Sequence, residues 1–209
     1  MAKLQVAIDL LSIDEAITLA KKVAPYIDII ELGTPLIKSE GVSGITAMKK
    51  AFPDKLVLAD FKTADAGELE ADMAFKAGAD YVTILGTSGD STIVGAVKAA
   101  KAHGKAIVVD TIGVKDRVKR AQEVTALGVE FVELHSGLDE QAEEGYSIQV
   151  LIDEASRAGV PVSIAGGINK DSIKAVKDAG VVVAVAGGSI YSAEDPAKAA
   201  KELHDLLNA

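Results

Sequence analysis

The chain has 209 residues, 49% of them hydrophobic and 25% charged, with a formal net charge of −9 and no cysteine or tryptophan. That composition suits a globular protein with one substantial core. It excludes disulfides, thiolate nucleophiles and cysteine-bound zinc or iron–sulfur centres, and a negative charge with no compensating run of Lys and Arg argues against a nucleic-acid partner.

The N-terminus runs from Met1-Ala2-Lys3 straight into Leu4-Gln5-Val6-Ala7-Ile8-Asp9, without the pattern of a secretory leader. Charged residues interrupt every apolar run before the ~18 residues that a bilayer span needs. A cytoplasmic protein with no membrane partner is expected. Short β-branched runs then predict strands at 4–9, 27–31, 56–60, 81–85, 106–110, 131–135, 161–165 and 181–186. Amphipathic stretches predict helices over 13–23, 42–51, 66–77, 91–103, 118–126, 147–158, 171–179 and 196–207. Gly78, Gly104, Gly128, Gly159 and Gly180 stand just past helix ends, where a left-handed cap is wanted. Successive strand ends are 22, 29, 25, 25, 25, 30 and 21 residues apart, one βα unit per interval. Near-continuous apolar runs indicate a parallel sheet covered on both faces, and eight units match an α/β (β/α)8 TIM barrel, one domain over 1–209. A doubly wound sheet is the second choice.

Functional residues of such barrels sit at strand ends. Five of the ends carry ionisable groups, Asp9, Glu31, Asp60, Asp110 and His135. Asp9 and Asp110 could equally be caps or partners of neighbouring loops. Asp60 and Lys62 point to one face of their strand while Asp65 lies in the following turn, which gathers three charges where a buried strand ends. Burying charge costs several kcal/mol per ion, so a cluster here marks chemistry rather than packing. Glu31 and Asp60, hard oxygen donors on adjacent strands, suit Mg²⁺. His135 is the one histidine at a strand end and a candidate to move protons at neutral pH; His103 and His204 fall in helices, where surface positions are expected. The last two strands end in Ala165-Gly166-Gly167 and Ala186-Gly187-Gly188. Paired glycines after strands 7 and 8 expose backbone N–H groups to a substrate phosphate.

The motif Asp60-x-Lys62-x-x-Asp65 resembles the strand-3 signature of the orotidine monophosphate decarboxylase superfamily, and the likeness extends over essentially the whole chain. Within it, Leu4 to Asp9, Glu31-Leu32-Gly33-Thr34-Pro35, Asp65-Ala66-Gly67-Glu68, His135 to Ala142 and Ala186-Gly187-Gly188 are closely similar to 3-hexulose-6-phosphate synthases. The resemblance implies a Mg²⁺-dependent lyase joining formaldehyde to D-ribulose 5-phosphate through an enediolate. Glu31 and Asp60 would hold the metal. Asp9, Lys62, Asp65 and His135 would be catalytic, with His135 as the base and Asp65 orienting Lys62 or a substrate hydroxyl. It also implies a homodimer in which Asp65 reaches the neighbouring subunit's site. The sister 3-keto-L-gulonate-6-phosphate decarboxylases share Asp9, Glu31, the strand-3 motif and His135. They usually carry Arg where this chain has Leu138 and Gly188, which favours the synthase, although Lys62-Thr63-Ala64-Asp65-Ala66-Gly67 reads like the decarboxylase loop. A sugar-phosphate binder without catalysis is the third reading, and the intact charged set argues against it.

Overall fold

A computed structural model describes residues 2–209. Eight strands run parallel: β1 (Lys3–Ile8), β2 (Ile29–Leu32), β3 (Leu56–Thr63), β4 (Tyr81–Leu85), β5 (Ala106–Asp110), β6 (Phe131–His135), β7 (Val162–Ala165) and β8 (Val183–Ala186). They hydrogen-bond in chain order, and β8 closes onto β1. The (β/α)8 barrel expected from the spacing is the fold.

Strand registers explain where the charges go. Following the paired residues once around the barrel shifts the register by eight, the stagger at which alternate strands fill the lumen in layers of four side chains. Ile29, Tyr81, Phe131 and Val183 form an apolar layer, with the Tyr81 and Phe131 rings edge to face at 5.7 Å. Above it come Gln5, Leu58, Val108 and Ser163, then Glu31, Thr83, Glu133 and Val185, then Ala7, Asp60, Asp110 and Ala165. Apolar side chains therefore close the N-terminal end of the lumen, and acids gather at its C-terminal end. A second, larger apolar core packs the outer strand faces against the helices.

The differences from the expected elements have local causes. β3 continues past Asp60 to Thr63 because its pairing with β4 jumps from Ala59–Val82 to Thr63–Ile84, a bulge that puts Lys62 at φ 47°. A helix over Thr34–Glu40 precedes the expected one over Val42–Ala51. Pro35 starts it and Gly41, at φ 65°, ends it. Single-turn helices over Leu138–Gln141 and Gly188–Tyr191 are too short for periodicity to reveal. All five glycines read as helix ends have positive φ.

Candidate active site

The bulge in β3 builds the centre of the site. Lys62 occupies a left-handed conformation that costs a non-glycine residue about 1–2 kcal/mol. Its backbone N–H donates to Thr83 Oγ1 at 2.9 Å, and the same hydroxyl donates to Asp60 Oδ1 at 2.7 Å. Asp60 Oδ2 accepts from Thr34 Oγ1 at 2.7 Å and from Lys62 Nζ at 2.5 Å. Lys62 Nζ also lies 3.1 Å from Asp110 Oδ2, so one ammonium spans the lumen between two buried carboxylates. Burial alone would push Lys62 down, but the charges of Asp60 and Asp110 outweigh it and hold the ammonium well above the ordinary lysine value.

On the opposite wall His135 Nδ1 lies 2.9 Å from Asp110 Oδ2 and 3.6 Å from Glu133 Oε1. Burial raises Asp110, but the adjacent His135 and Lys62 prevail and bring its carboxyl to about 2. An ionised carboxylate only accepts, so Nδ1 carries a hydrogen and Nε2 is the nitrogen left free of Asp110. Glu31 is buried and accepts from Gln5 Nε2 at 2.7 Å. Burial and the charge of Asp60 push it up to about 8 despite Lys62 and the Gln5 bond. Glu133 is raised well above the usual glutamate range by burial, then by the charges of Glu31, Asp110 and Asp60. Asp9 is raised by burial and by Asp60. Gly33 makes room for it, since a Cβ there would collide with Asp9 Oδ1 and Ile8 O.

A cavity of about 700 Å³ opens over the C-terminal end of the barrel, with Asp110, Thr83 and Gln5 behind its lining. Asp9, Glu31, Asp60, Lys62 and His135, named from the sequence, meet there, as do Gly166, Gly167, Gly187 and Gly188. The turn of Gly166 (φ 114°) and Gly167 (φ 76°) is open to glycine alone, and a Cβ on Gly166 would press to 2.6 Å from Ser136 O. Asp65 is exposed and lies outside this cavity. His103 and His204 are away from it and only half-buried; His103 bonds Asp72 at 2.8 Å.

The sequence reading missed Glu133, Gln5, Thr34 and Thr83, and left Asp110 without a partner. Strand alternation carried a signal for Glu133, two residues before His135 on the same face. The threonines have no such signal because their role follows from neighbouring strands.

The donor set fits a hard divalent ion. Glu31 Oε2 accepts one bond and Asp60 supplies a second buried carboxylate beside it, with negative charge already in excess. Asp110, Glu133 and His135 also bring ligand atoms within 4.8 Å of one another, yet Asp110 Oδ2 and His135 Nδ1 are engaged with each other and Lys62 stands 3.1 Å from the same oxygen. Both oxygens of Asp60 are engaged as well, by Thr83, Thr34 and Lys62, so a cation at either donor set would compete with Lys62. No helix among the described residues is long and apolar enough to cross a membrane.

Residues 2–203 match the Orotidine 5'-phosphate decarboxylase / HUMPS family. The 3-hexulose-6-phosphate synthase of Mycobacterium gastri is 65% identical over 205 residues, 98% of this chain and 99% of its own. A crystal structure of a 3-hexulose-6-phosphate synthase superposes with a TM-score of 0.97 at 65% identity, covering 98% of this chain and 99% of that one. The crystal structure of 3-keto-L-gulonate-6-phosphate decarboxylase from Vibrio cholerae gives 0.83 at 26% identity, covering 99% and 97%. The chain therefore belongs to the Orotidine 5'-phosphate decarboxylase / HUMPS family and stands among its 3-hexulose-6-phosphate synthases.

Proposed function

We propose that this enzyme is an aldehyde-lyase that condenses formaldehyde with D-ribulose 5-phosphate to give 3-hexulose 6-phosphate, with Mg²⁺ held by Glu31 and Asp60. The observation that carries the reading is that His135 and Lys62, both lining one cavity, share the buried Asp110 Oδ2, at 2.9 and 3.1 Å. It sets a proton acceptor beside a fixed cation, which suits making negative charge next to a carbonyl. His135 Nε2 takes the C1 proton, and Asp110, ionised at neutral pH, stabilises the imidazolium that forms. Lys62 donates to the developing enediolate oxygen, where a fixed donor contributes most. The enediolate carbon attacks formaldehyde, and the imidazolium returns its proton to the new alkoxide. Mg²⁺, when bound, supplies Lewis-acid polarisation of the same oxygens.

The glycine pairs after β7 and β8 suit the phosphate, with backbone N–H groups as donors. Asp65 belongs to the site of a partner subunit in a homodimer, which accords with its exposure outside its own cavity. A sister activity, decarboxylation of 3-keto-L-gulonate 6-phosphate, is favoured by one feature, the Lys62 to Gly67 loop.

The deciding experiment offers ribulose 5-phosphate with formaldehyde and, separately, 3-keto-gulonate 6-phosphate, each with and without Mg²⁺. Formaldehyde should disappear only with ribulose 5-phosphate, and chelation should stop it. Undiminished turnover after exhaustive chelation would remove the metal from Glu31 and Asp60.

A further inference from the structure

At the floor of the cavity, where Glu133 lines it, and in the layer beneath, three buried polar atoms have no hydrogen-bond partner among the described residues: Gln5 Oε1, Glu133 Oε2 and Ser163 Oγ. Gln5 and Ser163 are fully enclosed, Glu133 is 3% exposed, and neither Gln5 nor Ser163 lines the cavity. Register makes them neighbours. Glu133 pairs with Ser163 across β6 and β7, and Gln5 and Ser163 share the layer directly under that of Glu31 and Glu133. Buried polar atoms left unpaired are rare in folded proteins, and three on adjacent lumen positions point to a shared partner.

Their chemistry specifies what fits between them. Gln5 Oε1 only accepts, Ser163 Oγ donates or accepts, and a carboxyl oxygen accepts when ionised and donates when protonated. One water answers all three in either state of Glu133, and buried waters typically sit where such unpaired polar groups converge. The two outer members of the group are already tied to the site. Gln5 Nε2 donates to Glu31 Oε2 at 2.7 Å, and Glu133 Oε1 stands 3.6 Å from His135 Nδ1.

We propose that Gln5, Ser163 and Glu133 enclose a buried water, and that through it they act as positioning residues joining Glu31 to His135 across the barrel floor. Glu31 and Glu133 stand on strands β2 and β6 of one layer, with Lys62 above as a cation that could draw either carboxyl out of place. Anchoring each from below fixes its free oxygen. The metal role of Glu31 rests on the function proposed above; the water does not.

Two measurements test this. High-resolution crystallography of the metal-free wild-type protein should show one solvent peak about 2.7–3.2 Å from all three atoms. Direct pairing among the side chains, no peak, or an ion at metal-ligand distances would overturn the proposal. Second, Mn²⁺ binding is followed by the loss of its free paramagnetic resonance signal. Gln5→Leu should weaken binding about tenfold, the range for residues that orient a ligand. Ser163→Ala, which touches neither Glu31 nor the cavity, should weaken it about threefold, and the double variant should be no worse than Gln5→Leu, because both act through one water. Wild-type affinity in Ser163→Ala, or additive losses, would sink the relay. Ser163→Ala removes one buried hydroxyl and is expected to fold, so that arm survives a failure of Gln5→Leu. A wild-type protein that binds no Mn²⁺ would instead overturn the metal role of Glu31, leaving the density to decide the water.

Discussion

Lys62 concentrates the chemistry of the site in one side chain, and its backbone shows what that costs. A lysine at φ 47° persists because Thr83, Asp60 and Asp110 over-determine its position. Lys62→Ala should lower kcat by two to three orders of magnitude, roughly the value of one donor aimed at an oxyanion, with a smaller change in KM. Steady-state kinetics decide it, and a variant that keeps kcat and loses only affinity would make Lys62 a binding residue. Glu31 makes a second, pH-dependent prediction. Its folded value of about 8 lies above the ordinary 4.5. The metal-free folded state therefore holds a proton that the unfolded chain has lost, and stability falls as pH rises through that window. Asp110 acts with opposite sign: at about 2 against 3.8, it contributes stability above 3.8 that is lost as pH falls toward 2. In chelator, thermal melts of Glu31→Gln should decline less between pH 5 and 8 than wild type; parallel curves would contradict the assignment. The charges at strand ends were legible in the sequence because the barrel topology dictates where strand ends meet. The Asp110–His135 bond was not, since spacing along the chain does not say which ring nitrogen meets which carboxylate across β5 and β6.

At the scale of elements, the eight strands were readable from β-branched runs, and three strand ranges, β4 to β6, were placed to the residue. β2 and β8 start later than their apolar runs suggest, and the other errors fell where a boundary is set by something other than hydropathy: the bulge of β3, the Thr34–Glu40 helix, and the single turns over Leu138–Gln141 and Gly188–Tyr191. Those single turns also carry Leu138 and Gly188, the two positions proposed to separate the sister activities. Leu138 is 66% exposed at the cavity rim. Gly188 has no positive φ, and a Cβ there would meet only Tyr191 Oη, at 3.9 Å. Neither backbone position bars a longer side chain. The variant Leu138→Arg with Gly188→Arg is expected to raise decarboxylation of 3-keto-gulonate 6-phosphate relative to aldol synthesis, because a cation near His135 positions water to protonate the enediolate before formaldehyde is attacked. The ratio of the two kcat/KM values measures it, and an unchanged or lowered ratio in a folded variant excludes these turns as the switch.

At the scale of the whole molecule, the proposed dimer gives Asp65 a place that its own barrel does not. Asp65→Ala and Lys62→Ala are each expected to be nearly inactive as homodimers. Mixed, unfolded and refolded together, they should recover about a quarter of wild-type activity, since half of the random dimers are mixed and each holds one intact site. No recovery would confine Asp65 to its own chain. The glycine pairs bear on a further property. Among the described residues, Lys62 is the only lysine or arginine lining the cavity, so the anion would be gripped by uncharged amides inside a protein of net charge −9. A sugar-phosphate dianion then approaches uphill. Mobile ions shorten the reach of that repulsion, with a Debye length of ~30 Å at 0.01 M falling to ~8 Å at 0.15 M. Capture of the substrate should accordingly quicken as salt rises from dilute buffer toward physiological strength, the reverse of enzymes whose phosphate clamps are built from arginine.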